Sequence, residues 1–155
     1  MLLTDFLKGL KGSKYLQTKD AFPEINFQGL TISIENSIGS IRRGKKNDGS
    51  QWQTRFFHPY GFIKYTIGAD EEEIDCFIGP NELSQSVYIV QQDDEDKVML
   101  GFDSLEHARD AYLAHYDTQM KMKLITEMSM QEFKAILEED GKAGIKLVKD
   151  WQRIV

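Results

Sequence analysis

The acids Asp70, Glu72 and Asp75 lie within YGFIKYTIGADEEEID, which runs from Tyr60 to Asp75. They occupy a loop and the start of the apolar segment that follows it. Carboxylates gathered this closely repel one another unless a cation sits among them. Oxygen ligands of this kind suit a hard ion such as Mg2+. Glu71 and Glu73, which alternate with these acids, are expected to point to solvent. A second acidic group, Asp93 to Asp96, precedes Lys97. Taken alone, either group also fits a solvated loop, because charge runs usually face water. His58, His107 and His115 stand in no metal-ligand spacing and read as surface or satisfied core residues. Neither a Gly-rich phosphate loop nor a Ser-His-Asp layout is visible.

The elements that must position these groups are short strands. Apolar alternation and short apolar runs predict strands over Leu30–Ile34, Gln51–Phe57, Phe62–Thr66, Ile74–Ile78, Val87–Gln91 and Lys97–Phe102. Residues 92–96 then form an acidic hairpin turn. Asn47-Asp48-Gly49-Ser50 is a turn inside the Gly-, Ser-, Lys- and Arg-rich stretch 38–49. Two capping boxes, Asp103 with Glu106 and Ser129 with Glu132, predict helices over Leu105–His115 and Met130–Glu139. Gly141 and Gly144 fit the end of the second helix. Leu2, Leu3, Phe6, Leu7 and Leu10 could form one face of a short helix ending near Gly12. Residues 145–154 fit either a last strand or a short helix. Strands followed by helices point to an α+β fold or a small barrel with appended helices. The organisation read from this is an N-terminal helical arm over 1–28 and one domain over 29–155.

The chain has 155 residues and is 41% hydrophobic, enough to fold around a core and too apolar for a disordered chain. Its net charge of -6 speaks against a nucleic-acid binder, which usually carries a basic face. An anionic substrate stays compatible with that charge, because bound divalent cations reverse the field of an acidic pocket. Cys76 is the single cysteine, so an intrachain disulfide is impossible, which fits a reducing cytoplasm. Within IDCFI it reads as a small buried hydrophobe. No apolar run approaches a membrane span, and the N-terminus lacks a signal-peptide layout.

The words IENSIGSIRRG, YGFIK, GADEEEIDCFIGP, KVMLGFDS and ITEMS resemble the soluble family I inorganic pyrophosphatases. They look most like the compact pyrophosphatase-like domain of phage and mobile-element proteins. The likeness covers about Ile32 to Leu137. That family's signature joins a tyrosine-glycine pair, an apolar strand and an Asp-x-Asp-x-x-Asp triplet. Here these are Tyr60-Gly61 and the set Asp70, Glu72 and Asp75, with Glu in the middle place. The resemblance implies a five-stranded OB-like β-barrel with two or three appended helices. It also implies Mg2+-dependent hydrolysis of inorganic pyrophosphate to two phosphates, with Mn2+ as a second candidate ion. A metal-activated water would attack directly, with no covalent intermediate.

On that resemblance Asp70, Glu72 and Asp75 hold metal, assisted by Glu35, Asp93 and Glu95. Glu72 takes the place of the water-activating acid, with Asp70 and Tyr60 beside it in the chemistry. Arg42 or Arg43, Arg55, Lys97 and Tyr116 would hold phosphate. The chain also departs from the family. Glu72 is one methylene longer than Asp. Gly44 stands where a second glutamate is expected, Phe56 replaces a tyrosine, and Asp117 replaces a lysine whose role could pass to Lys121 or Lys123. These departures keep two alternatives open: a binding module without turnover, and a hydrolase of another diphosphate such as a nucleotide derivative. The expected partner is a small-molecule substrate, with neither nucleic acid nor membrane. The expected place is the cytoplasm, the host's if the protein is phage-encoded, either as a homo-oligomer or as a domain of a longer phage polypeptide.

Overall fold

The computed structural model describes residues 22–68, 71–93, 95–116 and 122–139. In chain order the described strands are β1 (Glu24–Phe27), β2 (Leu30–Asn36), β3 (Ile41–Lys45), β4 (Gln51–Arg55), β5 (Tyr60–Ile63), β6 (Ile74–Ile78), β7 (Ser86–Gln91), β8 (Asp96–Leu100) and β9 (Leu124–Ser129). Helix α1 (Leu105–Leu113) precedes β9, and α2 (Met130–Glu139) follows it. Among the described residues, seven strands form one sheet in the order β1-β2-β5-β6-β8-β7-β9, and β3 pairs with β4 in a separate ribbon. The ladders are antiparallel except for the parallel pair β6–β8.

The sheet has a helix on each face, and the period of two along each strand decides which side chain meets which helix. Ile32, Ile63, Ile74, Cys76, Ile89 and Val98 are buried in one cluster with Phe133, Ile136 and Leu137 of α2. Tyr60, Phe77, Tyr88 and Met99 point the other way, into a cluster with Ala108, Ala111 and Tyr112 of α1. Each fully buried Ile or Val contributes about 1.5–3 kcal/mol relative to exposure. The central strands IDCFI, SVYIVQ and DKVML are almost entirely buried, as strands covered on both faces must be.

Gly61 lies where β5 crosses β2. A Cβ added there would sit 1.7 Å from the Ser33 carbonyl oxygen, so a side chain at this position would push the two strands apart. This close approach accounts for the glycine that follows Tyr60. The β2–β5 ladder also slips between Ile34 and Asn36, which leaves Glu35 as the extra residue of a bulge. Bulges bend a strand and re-aim its side chains.

The α+β class holds. The ladders leave β1 and β9 as the edges of an open sheet, and among the described residues the expected five-stranded OB-like barrel is not closed. Strands β1, β3 and β9 were absent from the sequence reading. β1 pairs with β2 through Glu24–Phe27, so residues before position 29 contribute a strand to the sheet. The helix expected near residues 2–10, and the features at Gly141, Gly144 and 145–154, lie outside the described residues. The capping box Ser129/Glu132 is reciprocal: Glu132 N–H donates to Ser129 Oγ at 3.0 Å and Ser129 N–H to Glu132 Oε1 at 3.1 Å. The start of α1 is capped differently from the expected Asp103/Glu106 pair. Ser104 is the N-cap, and its Oγ accepts from His107 N–H at 3.0 Å. Among the described residues no helix is long and apolar enough to cross a membrane.

Candidate active site

Strands β5, β6 and β8 lie side by side in the middle of the sheet, and their register sets the site. Phe62 stands opposite Asp75, and Asp75 opposite Lys97. All three point to the α1 side of the sheet. Lys97 Nζ donates to Tyr60 Oη at 2.7 Å, to Asp75 Oδ2 at 2.7 Å and to Glu95 Oε1 at 2.6 Å. Tyr60 Oη in turn donates to Asp75 Oδ2 at 2.8 Å. Lys97 is only 5% exposed, so a charge that would be costly alone is matched by two carboxylates and a phenol.

Burial alone would lower the Lys97 pKa. The oxygens of Tyr60, Tyr116, Asp75 and Glu95 outweigh it and hold the ammonium well above its ordinary range. Burial raises the Tyr60 phenol, against the pull of Lys97, so it stays a hydroxyl donor. The Tyr116 phenol is raised for the same reason. Burial also pushes the Cys76 thiol up, which fits an inert core thiol on the α2 side.

A cavity of about 330 Å³ opens over this network. Its acidic wall is Glu35, Glu72, Glu73, Asp75 and Glu95, and Arg42 and Lys97 bring positive charge to the same space. Glu35 arrives through the bulge in β2. Glu73 was expected to face solvent, yet it lines the cavity. The donors are carboxylate and phenol oxygens, the set a hard divalent cation takes. Among the described residues no three acids already converge tightly enough to cage an ion, and Asp70 lies outside those residues. Asp93 is elsewhere: its Oδ1 pairs with Lys123 Nζ at 2.6 Å on the exposed surface.

A second cleft, of about 470 Å³, adjoins the first and shares Arg42, Tyr60, Glu95 and Lys97 with it. The alternation of the β3–β4 ribbon directs its basic residues. Arg42, paired in register with Thr54, reaches both spaces, and its guanidinium carbon lies 5.5 Å from the Tyr60 ring centroid. Arg43 points away and donates from Nε to Gln53 Oε1 at 3.3 Å on the exposed side. Arg55 is paired with Ile41 and lines neither space. Tyr116 lines the second cleft, its ring 4.5 Å from that of Tyr112. Phe56 is buried, its ring 5.5 Å from that of Tyr60.

The sequence reading missed Trp52, Lys46, Gln92 and His115, all of which line the second cleft. Only the pairing of β3 with β4 and the fold of α1 over the sheet bring them there. The histidines also converge, with the His58 ring centroid 6.1 Å from His115 and 6.4 Å from His107. His115 is a structural pin. Its Nε2 accepts from Phe57 N–H at 3.0 Å, and its Nδ1 donates to the Ala111 carbonyl at 2.6 Å. Burial lowers its pKa and keeps it neutral, against the opposing effect of the Ala111 carbonyl. His58 is lowered by burial and then by His115 and His107.

Taken together, the arrangement can hold a polyanion between Arg42, Lys97 and cations bound by the acidic wall. A family model described as Inorganic Pyrophosphatase matches residues 17–138 of the chain. No curated protein and no solved structure matches it.

Proposed function

Because this chain belongs to the inorganic pyrophosphatase family, we propose that it hydrolyses inorganic pyrophosphate to two phosphates, with Mg2+ or Mn2+ bound at the acidic wall. The observation that carries this reading is the convergence of Glu35, Glu72, Asp75 and Glu95 with Arg42 and Lys97 around one cavity. The donor set fits the ion, being all oxygen. Glu35, Glu72 and Asp75 would hold it, joined by Asp70 from the same loop. A bound divalent cation supplies charge neutralisation and a water that ionises near neutral pH.

The side chains of the protein do the rest. Arg42 offers a planar fork that matches two phosphate oxygens, and phosphate contact is assigned to it in preference to Arg43 and Arg55. Lys97 stays charged and offsets negative charge where the phosphoryl group is transferred. Tyr60 donates to Asp75 and so fixes the orientation of that carboxylate. Glu72 accepts the proton of the attacking water. The water oxygen bonds to one phosphorus, the bridging P–O bond breaks, and the second phosphate leaves with the bridging oxygen. Tyr116, kept protonated by burial, donates to that phosphate.

The second reading, a binding module without turnover, draws on Lys97, whose three donors are all spent within the site. The OB-like barrel also stays a proposal. Its support is the run β2-β5-β6-β8-β7 with a single parallel pair, in keeping with a partly open barrel of five strands.

The test is phosphate release from pyrophosphate at neutral pH, with Mg2+ and with a chelator in its place. Release with Mg2+ that the chelator abolishes is the expected result. No release with either Mg2+ or Mn2+ overturns the hydrolase and leaves the binding module.

A further inference from the structure

We propose that the same site also cleaves, in preference to the bare pyrophosphate ion, a diphosphate that carries a flat heteroaromatic ring at one end, as a nucleoside diphosphate does, and that the ring lies against Trp52 in the second cleft. The inference rests on the hydrolase reading above and names its substrate class.

The first observation is room. A pyrophosphate ion has about nine heavy atoms. Even at a whole water's share of about 30 Å³ for each atom, it fills only about 270 Å³. The acid-lined cavity of about 330 Å³ already accommodates that. The adjoining cleft of about 470 Å³ adds more space than a pyrophosphate reaching Tyr116 from the cavity fills. Arg42 and Lys97 stand where the two spaces meet, so a phosphate held there leaves its substituent in the cleft.

The second observation is how the cleft is built. A Cβ at Gly44 would lie 2.4 Å from Cζ2, 2.5 Å from Cε2 and 2.7 Å from Nε1 of Trp52. The indole therefore lies over Gly44 and can do so only because that residue has no side chain. This is the position where an acid was expected by resemblance. Its absence replaces charge at the cleft wall with an aromatic surface.

The third observation is the chemistry around the indole. Thr54 and Gln92 supply a hydroxyl and an amide at the cleft wall, and Lys46 adds a cation. Tyr112 Oη donates to the Gln92 side-chain carbonyl, which fixes that amide. An aromatic platform bordered by hydrogen-bonding groups suits a ring with donors and acceptors on its edge. A purely apolar chain would leave those groups unpaired. In the reaction a water oxygen bonds to the terminal phosphorus and the bridging P–O bond breaks. The nucleoside monophosphate leaves with the bridging oxygen, and the water's proton passes to an acid of the cavity.

The experiment compares pyrophosphate, ADP and UDP as substrates with Mg2+, in wild type, Trp52→Ala and Trp52→Phe. At least one nucleotide is expected to be cleaved with a kcat/KM above that of pyrophosphate. Trp52→Ala is expected to lower that preference about tenfold, through KM, and Trp52→Phe to restore part of it, as base–aromatic stacking predicts. Cleavage of pyrophosphate in preference to both nucleotides overturns the inference and leaves the hydrolase reading standing. A nucleotide preference that Trp52→Ala does not change also overturns it. Failure of all three substrates removes both readings together.

Discussion

Adjacent residues of the same strands do opposite things in this molecule. Ile74 and Cys76 turn to the α2 side and join a cluster of Ile, Val, Leu, Met and Phe. Asp75, between them, turns to the α1 side and meets Tyr60 and Lys97. Val98 and Lys97 divide in the same way. The α2 side is mostly apolar and supplies stability. The α1 side carries an ammonium ion, carboxylates and phenols that must satisfy one another before they can serve a ligand. One register fixes both sets, since a slip of a single residue would exchange them.

The division is tested hardest by removing the buried cation. Lys97→Met leaves Asp75 and Glu95 facing each other without a counter-charge, and should cost about 3–5 kcal/mol in urea unfolding. A loss below about 1 kcal/mol would mean that water already screens these carboxylates. Ile89→Ala attacks the other face. It should cost about 2–4 kcal/mol by cavity formation while turnover per folded molecule stays at the wild-type level. Loss of turnover in the folded variant would break the separation of scaffold from site. Gly61→Ala acts on both faces at once by forcing β5 from β2, with an expected loss of about 1–3 kcal/mol visible as a lower melting temperature.

The smallest effect is one of pH. His115 is neutral in the fold, its pKa held below the ordinary 6.5. The unfolded chain therefore takes up the proton first as pH falls below that value, and stability drops with falling pH. Protonation would also remove the acceptor for Phe57 N–H. The melting temperature of wild type should fall between pH 7 and pH 5 more steeply than that of His115→Gln. Parallel curves would remove His115 as the cause.

The central strands were legible because IDCFI and VYIVQ are short, mostly apolar segments between turn signals. β3 was hidden by its composition: IRRGK carries no apolar alternation, and it pairs with β4 outside the main sheet. β1 is four residues long and mostly exposed, and β9 is an edge strand with a single buried residue. The candidate acids Glu72, Asp75 and Glu95 were visible as types. Their convergence with Lys97 depends on the parallel β6–β8 pairing, which no local spacing encodes. The choice of Arg42 over Arg43 follows from the phase of β3, a strand the sequence concealed. Glu73 was misread because its orientation is set by the loop leading into β6, where no alternation applies. The second cleft was invisible for a similar reason: Trp52 read only as a strand residue until Gly44 was placed beneath it.

The most direct test of the account is phosphate release from pyrophosphate in saturating Mg2+ by wild type and by Asp75→Asn, each first shown to be folded. The account predicts metal-dependent release by wild type and a fall of about 100-fold or more in the variant, in line with losing one preorganised charged group. Full turnover by folded Asp75→Asn would contradict it and move the chemistry away from this face of the sheet.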